Sequence, residues 1–175
     1  IDDFYGELKR TLNSLGGISG SALLDLDLPF GSGLDLGGTL DFGTAFLEKG
    51  VEPVLFDSKA SPAAASPRVF REFVLPVYRD LVLPALREAG ARTVPLIIGG
   101  DTTAILEELL ATGAGQLLCD AGSDLARFGR RCREERRALR ASVDARPVHR
   151  GTPDEIRAVA ARLLEATAGQ PGLLF

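Results

Sequence analysis

Four short apolar runs in this chain each stop at an aspartate, and each is followed by a stretch that reads as helix. Residues 51–56 lead into Asp57, residues 94–98 into Gly99-Gly100-Asp101, Gln116–Cys119 into Asp120, and residues 138–143 into Asp144. A fifth apolar run occupies residues 172–175. Strand-length runs alternating with helical stretches predict βα units and a parallel sheet. In sheets and barrels built this way, the carboxyl ends of the strands line the ligand site. Four carboxylates at consecutive strand ends are therefore expected to face one mouth and, if they crowd there, to raise some of their own pKa values.

The intervals between these aspartates are 44, 19 and 24 residues, and the shorter two fit minimal helix-plus-strand units. Right-handed crossovers would place every helix on the outside of a curved sheet. A closed eight-fold βα barrel needs about 250 residues, whereas this chain has 175 and five readable strands. An incomplete barrel is the expectation. The sequence opens on Ile1 and contains no Met or Trp, which points to a processed chain or to part of a longer one. Strand edges left open by an incomplete barrel invite pairing, so a homo-oligomer, the leading 50 residues or a missing barrel half is expected to cover them.

A net charge of −4 and a pI near 5.1 argue against a nucleic-acid binder. The arginines at 127, 130, 131, 133, 136, 137 and 140 are interrupted by Glu134 and Glu135, as on a solvated helix face. Cys119 and Cys132 lack metal-ligand spacing and read as reduced thiols of a cytoplasmic protein. No apolar run approaches the roughly 20 residues that span a bilayer, and no signal peptide is visible. A soluble protein with no membrane association is expected.

Residues 1–50 form a first region and residues 51–175 a second. The first holds ten of the twenty glycines and alternates leucine with aspartate at 24–28, which predicts an edge strand or hairpin with one wet face. The rest of it reads as loop-rich, with Gly31-Ser32-Gly33 as a flexible connector. In the second region Ser66-Pro67 starts a helix that runs to Gly90, and Pro76 and Pro84 are expected to kink or split it. Thr102-Thr103 opens the next helix, with Ile105, Leu106, Leu109 and Leu110 inward. Asp124 caps a third through about Arg133. Thr152-Pro153-Asp154-Glu155 is a capping box, and the helix it starts, with Ile156, Val159, Ala160, Leu163 and Leu164, should stop near Gly169.

As an ordered series, the stretch from Val54 to Phe175 resembles the uroporphyrinogen decarboxylase superfamily, which includes the decarboxylase and the corrinoid-dependent methyltransferases. The residues carrying the resemblance are Val54-Leu55-Phe56-Asp57-Ser58-Lys59-Ala60, then Ser66, Pro67, Phe70, Phe73, Leu75 and Pro76. They continue with Gly100-Asp101-Thr102-Thr103-Ala104-Ile105-Leu106, Ser142-Val143-Asp144, and Gly151-Thr152-Pro153-Asp154-Glu155-Ile156. The resemblance implies an α/β fold of parallel βα repeats: a partial (β/α)8 TIM-type barrel, corresponding to the carboxyl-terminal half. It implies a decarboxylase-like lyase acting without cofactor on a carboxylated tetrapyrrole or related acid. Its rivals are a corrinoid-linked methyltransferase lacking the zinc site and a non-catalytic binding subunit. The methyltransferases carry His-x-Cys zinc ligands where this chain has Ile97 and Gly99, so zinc is disfavoured. The decarboxylase's amino-terminal arginine-rich motif and catalytic aspartate have no counterpart in residues 1–50.

The candidate catalytic residues are Asp57, Asp101 and Asp144. The candidate substrate contacts are Ser58, Lys59, Gly99, Gly100, Thr102, Asp120, Arg146 and His149. Ser58 carries over from the decarboxylase as a hydroxyl contacting substrate. Gly99 and Gly100 let a ligand approach the backbone, and free amides before the helix at Thr102 favour an anion unless Asp101 caps them itself. Asp120 suits either ligand contact or loop capping. His149 is the single histidine, read here in a loop beside Arg146, and any imidazole acid–base role falls to it. Arg137 and Arg140 are candidates for holding substrate carboxylates.

Overall fold

From Leu55 onward, parallel strand pairing runs in sequence order. A computed structural model describes residues 25–27, 33–57 and 59–174. Contacts divide the chain into two units, Ile1–Phe42 and Gly43–Phe175. In the first, β1 (Asp25–Asp27) pairs antiparallel with β2 (Gly33–Asp35), the hairpin expected from the leucine–aspartate alternation. The loop-rich reading of the residues after this hairpin is corrected by α1 (Leu36–Glu48). Its three glycines hid it, because each lowers local helix propensity.

In the second unit, β3 (Leu55–Phe56), β4 (Pro95–Ile97), β5 (Gln116–Cys119), β6 (Ala138–Ala141) and β7 (Leu173–Leu174) form one five-stranded sheet. Every pair in it is parallel. Apart from β5, which matches its run, the strands are shorter than the apolar runs that predicted them. Val51 and Val54 precede β3 and are exposed, and Val143 lies past β6.

The register aligns one leucine per strand: Leu55, Leu96, Leu117, Leu139 and Leu173 stand side by side across all five. The first four are buried. Side chains alternate faces along a strand, so the next row faces the other way. That row contains Phe56, Ile97, Leu118 and Arg140, and there Phe56 is 71% exposed and Arg140 is exposed too. Helices cover the leucine face, while the opposite face stays open at both Phe56 and Arg140.

The covering layer begins with a composite helix, α2, over residues 67–88. Ser66 caps it by accepting from the Val69 N–H. The expected break at Pro76 and Pro84 takes the form of two π-helical turns, Phe70–Val74 and Tyr78–Val82, each just before a proline. The wider turn accommodates the missing proline donor without ending the helix. Its buried side chains include Phe70, Val74, Tyr78, Val82, Leu83 and Leu86.

Beyond β4, a 3-10 turn (Thr103–Ile105) leads into α3 (Leu106–Ala111), with Ile105, Leu106, Leu109 and Leu110 buried as expected. Glu108 of α3 is buried and anchored by Arg71 of α2, whose Nε donates at 2.7 Å. Helix α4 (Leu125–Glu134), capped by Asp124, buries Phe128 and Cys132 against β5 and β6. α5 (Ala145–Arg150) and α6 (Pro153–Ala166) complete the order. On the apolar side of α6, Leu163 is buried, but Ile156 and Leu164 are 36% and 56% exposed. A capping box starts this helix whether or not its apolar face finds a partner.

Candidate active site at the strand ends

Because the five strands are parallel and neighbouring in sequence order, their carboxyl ends lie along one edge of the sheet. Asp57 follows β3 directly and continues the ladder, its N–H donating to the Ile97 carbonyl at 3.0 Å. One carboxylate oxygen of Asp57 accepts from the Lys59 and Ala60 N–H groups, each at 3.1 Å. The other accepts from the Tyr78 hydroxyl at 3.0 Å. Tyr78 is buried in α2, and burial followed by the Asp57 charge pushes its phenol well above the usual range. Sequence reasoning missed this residue, since on a helix it reads as one more apolar-face aromatic. Lys59 is exposed, and Ser58 lies outside the described residues.

The loops after β4 and β5 are stitched together. Asp120 accepts from the Gly100 N–H at 2.8 Å and from the Ala121 N–H at 2.8 Å. Gly100 adopts φ +82°, a conformation that favours glycine. Ser123 donates to the Gly100 carbonyl at 3.2 Å and accepts from the Thr102 N–H at 3.0 Å. The Asp124 N–H donates to the Thr103 hydroxyl at 2.8 Å. Asp101 is exposed and accepts from the Thr103 N–H at 3.0 Å, the capping alternative weighed from the sequence. Thr102 is fully buried against Ser123, which corrects its expected position as a ligand contact. Gly99 leaves space, because a Cβ there would sit 3.7 Å from Asp120.

Asp144 lies beyond β6 as the cap of α5, accepting from the Arg146 N–H at 2.9 Å and from its guanidinium at 2.7–3.1 Å. Arg146 is therefore committed to Asp144. His149 is corrected from loop to the exposed last turn of α5. Hydrogen bonds thus join the Asp101 and Asp120 loops, while Asp57 and Asp144 are each held by their own partners along the same edge.

The expected rise in carboxylate pKa is overturned for two of the four. The Thr103 hydroxyl and N–H hold Asp101 below the usual range, and the Arg146 guanidinium and N–H do the same for Asp144. Hydrogen bonds to the charged form outweigh crowding where the groups stay exposed. Both are ionised at neutral pH. Under the rim, burial pushes the free thiol of Cys119 up to about 12 and that of Cys132 up to about 11, so neither is a ready nucleophile.

The sequence model of the family described as Uroporphyrinogen decarboxylase (URO-D) matches residues 37–175. The chain belongs to the uroporphyrinogen decarboxylase family. It is 32% identical over 126 residues to the uroporphyrinogen decarboxylase of Chlorobium phaeovibrioides, covering 71% of this chain and 34% of that protein. It is 34% identical over 128 residues to that of Pseudomonas paraeruginosa, covering 69% and 33%. The chain thus spans about a third of the length of these relatives. A methyltransferase from Methanosarcina mazei superposes with a TM-score of 0.63 at 22% identity, over 81% of this chain and 41% of that one. The fold is accordingly a partial TIM-type barrel of the uroporphyrinogen decarboxylase-like kind. The side chains of Ile97 and Gly99 carry no metal-donor atom. Among the described residues, no group of three or more His, Cys, Asp or Glu is placed to hold a metal ion. Among them, too, no helix is long and apolar enough to cross a membrane.

Proposed function

We propose that this chain forms part of a decarboxylase-like lyase that takes a carboxylated tetrapyrrole, or a related acid, at the strand-end rim and releases CO2 without a cofactor. The observation that carries this reading is the Asp57 carboxylate at the end of β3, fixed by two backbone N–H groups and the Tyr78 hydroxyl. When an acetate side chain on a pyrrole loses CO2, the electron pair of the breaking C–C bond passes into the ring, which has first been protonated. The exocyclic carbon then gains a proton to become a methyl group and the ring carbon gives one up. A carboxylate fixed beforehand next to the cationic ring stabilises that charge without reorganising. Asp101 and Asp144, ionised and exposed or half-exposed, contribute negative charge and not a proton. Asp57, hydrogen-bonded to a phenol that stays protonated, is the carboxylate we assign to the ring. Arg140, exposed on the open sheet face beside Leu118, is the residue we assign to the substrate's remaining acid groups.

Anaerobic incubation with uroporphyrinogen, followed by chromatography of the porphyrins, tests this reading. Products with fewer carboxylates are expected, and Asp57→Ala should slow their formation by about a hundredfold or more. Binding of cobalamin in place of porphyrinogen, or porphyrinogen binding with no product, overturns the lyase reading. Sedimentation of the active species shows whether further copies or segments cover the outer strands β3 and β7, as we also propose.

A further inference from the structure

The corner where α5 turns into α6 encloses a groove of about 390 Å³, within the range of small-molecule sites. One side is lined by Glu155, Ala158, Val159 and Arg162, which share a single face of α6. The other side carries Arg146 and Arg150, one turn apart on α5. Three arginines therefore face one glutamate.

Two of these four charges are already committed. Arg146 is held by Asp144. Glu155 accepts from the Thr152 N–H at 2.7 Å and from its hydroxyl at 3.1 Å, closing the capping box. Arg150 and Arg162 have no ion pair or side-chain hydrogen bond to any described residue. Other arginines do find acids: Arg131 of α4 meets Glu107, Glu134 and Glu135, and Arg157 of α6 meets Asp154. Two uncommitted guanidinium groups beside an apolar wall of Ala158 and half-buried Val159 make a receptor for oxyanions, which guanidinium binds through paired N–H donors.

We propose that the α5–α6 groove binds a small oligoanion bearing carboxylate or phosphate groups, with Arg150 and Arg162 as its ligands. Its two ligands take no part in the lyase chemistry proposed at the rim, although Arg146, which also lines the groove, is bonded to Asp144. Isothermal titration of the chain with pyrophosphate and with citrate, at fixed chloride, tests it. Saturable binding of at least one is expected, and the preferred anion identifies phosphate or carboxylate as the natural group. The double variant Arg150→Gln/Arg162→Gln should weaken binding by about tenfold or more. Ala158→Glu should do the same, since it adds a negative charge to the wall and leaves both arginines in place. All three positions are exposed, so the fold tolerates these changes. Absence of saturable binding for both anions up to about 10 mM, or unchanged affinity in both variants, overturns the proposal.

Discussion

Tyr78 and Asp57 are 21 residues apart, and each gives the other a role that neither shows alone. Tyr78→Phe keeps the ring packing but removes the donor to Asp57. A loss of about 1–2 kcal/mol in urea denaturation is expected, with a slower decarboxylation if the lyase reading holds. Unchanged stability would show that water replaces the phenol at no cost. The positions of Asp57, Asp101 and Asp120 could be read from the sequence because each follows an apolar run, Asp101 after two glycines and the others directly. Their partners could not. Ser123 and Tyr78 lie in neighbouring segments that only folding brings to the rim, and Thr102 turns inward because Ser123 meets it there.

At the level of elements, local bonding explains what was readable. The Ser66, Asp124 and Thr152 caps each bond a backbone N–H three residues on, so four residues of sequence suffice to predict them. The α5–α6 corner is different. The Gly151 N–H donates to the Pro147 carbonyl at 2.8 Å, and a Cβ on Gly151 would approach that oxygen to 2.4 Å. Gly151→Ala should therefore push α5 away from α6 and destabilise the chain by about 1–3 kcal/mol in thermal or urea melts. A variant as stable as the parent would mean that the corner relaxes freely. Helix α1 escaped the sequence reading because Gly37, Gly38 and Gly43 mask its pattern. The His149 turn escaped because α5 has six residues, too few to show a helical period.

For the whole molecule, acid sensitivity arises from carboxylates held below their usual range across several elements. Glu52 accepts from the Thr93 N–H, Asp101 is bonded by Thr103, Glu107 by Arg131, Asp144 by Arg146 and Glu155 by Thr152. A lowered folded-state pKa contributes stability that is complete above the unfolded value and lost as pH falls through the folded one. Unfolded carboxylates titrate near pH 4, so the urea midpoint should hold from pH 7 to about 5 and drop steadily below about 4. A midpoint that rises on acidification would contradict these hydrogen bonds. The row of five leucines supplies a core that acid does not touch.

Strand order, four of the helices and three of the caps were determined by the sequence itself, because period and capping depend on residues within a few positions of each other. Tertiary structure decided which aspartates share hydrogen bonds, which of them stay ionised, and which face of the sheet is left open. Those outcomes depend on loops about 20 residues apart meeting across neighbouring strands, and on which face the helices come to cover. No local pattern encodes either.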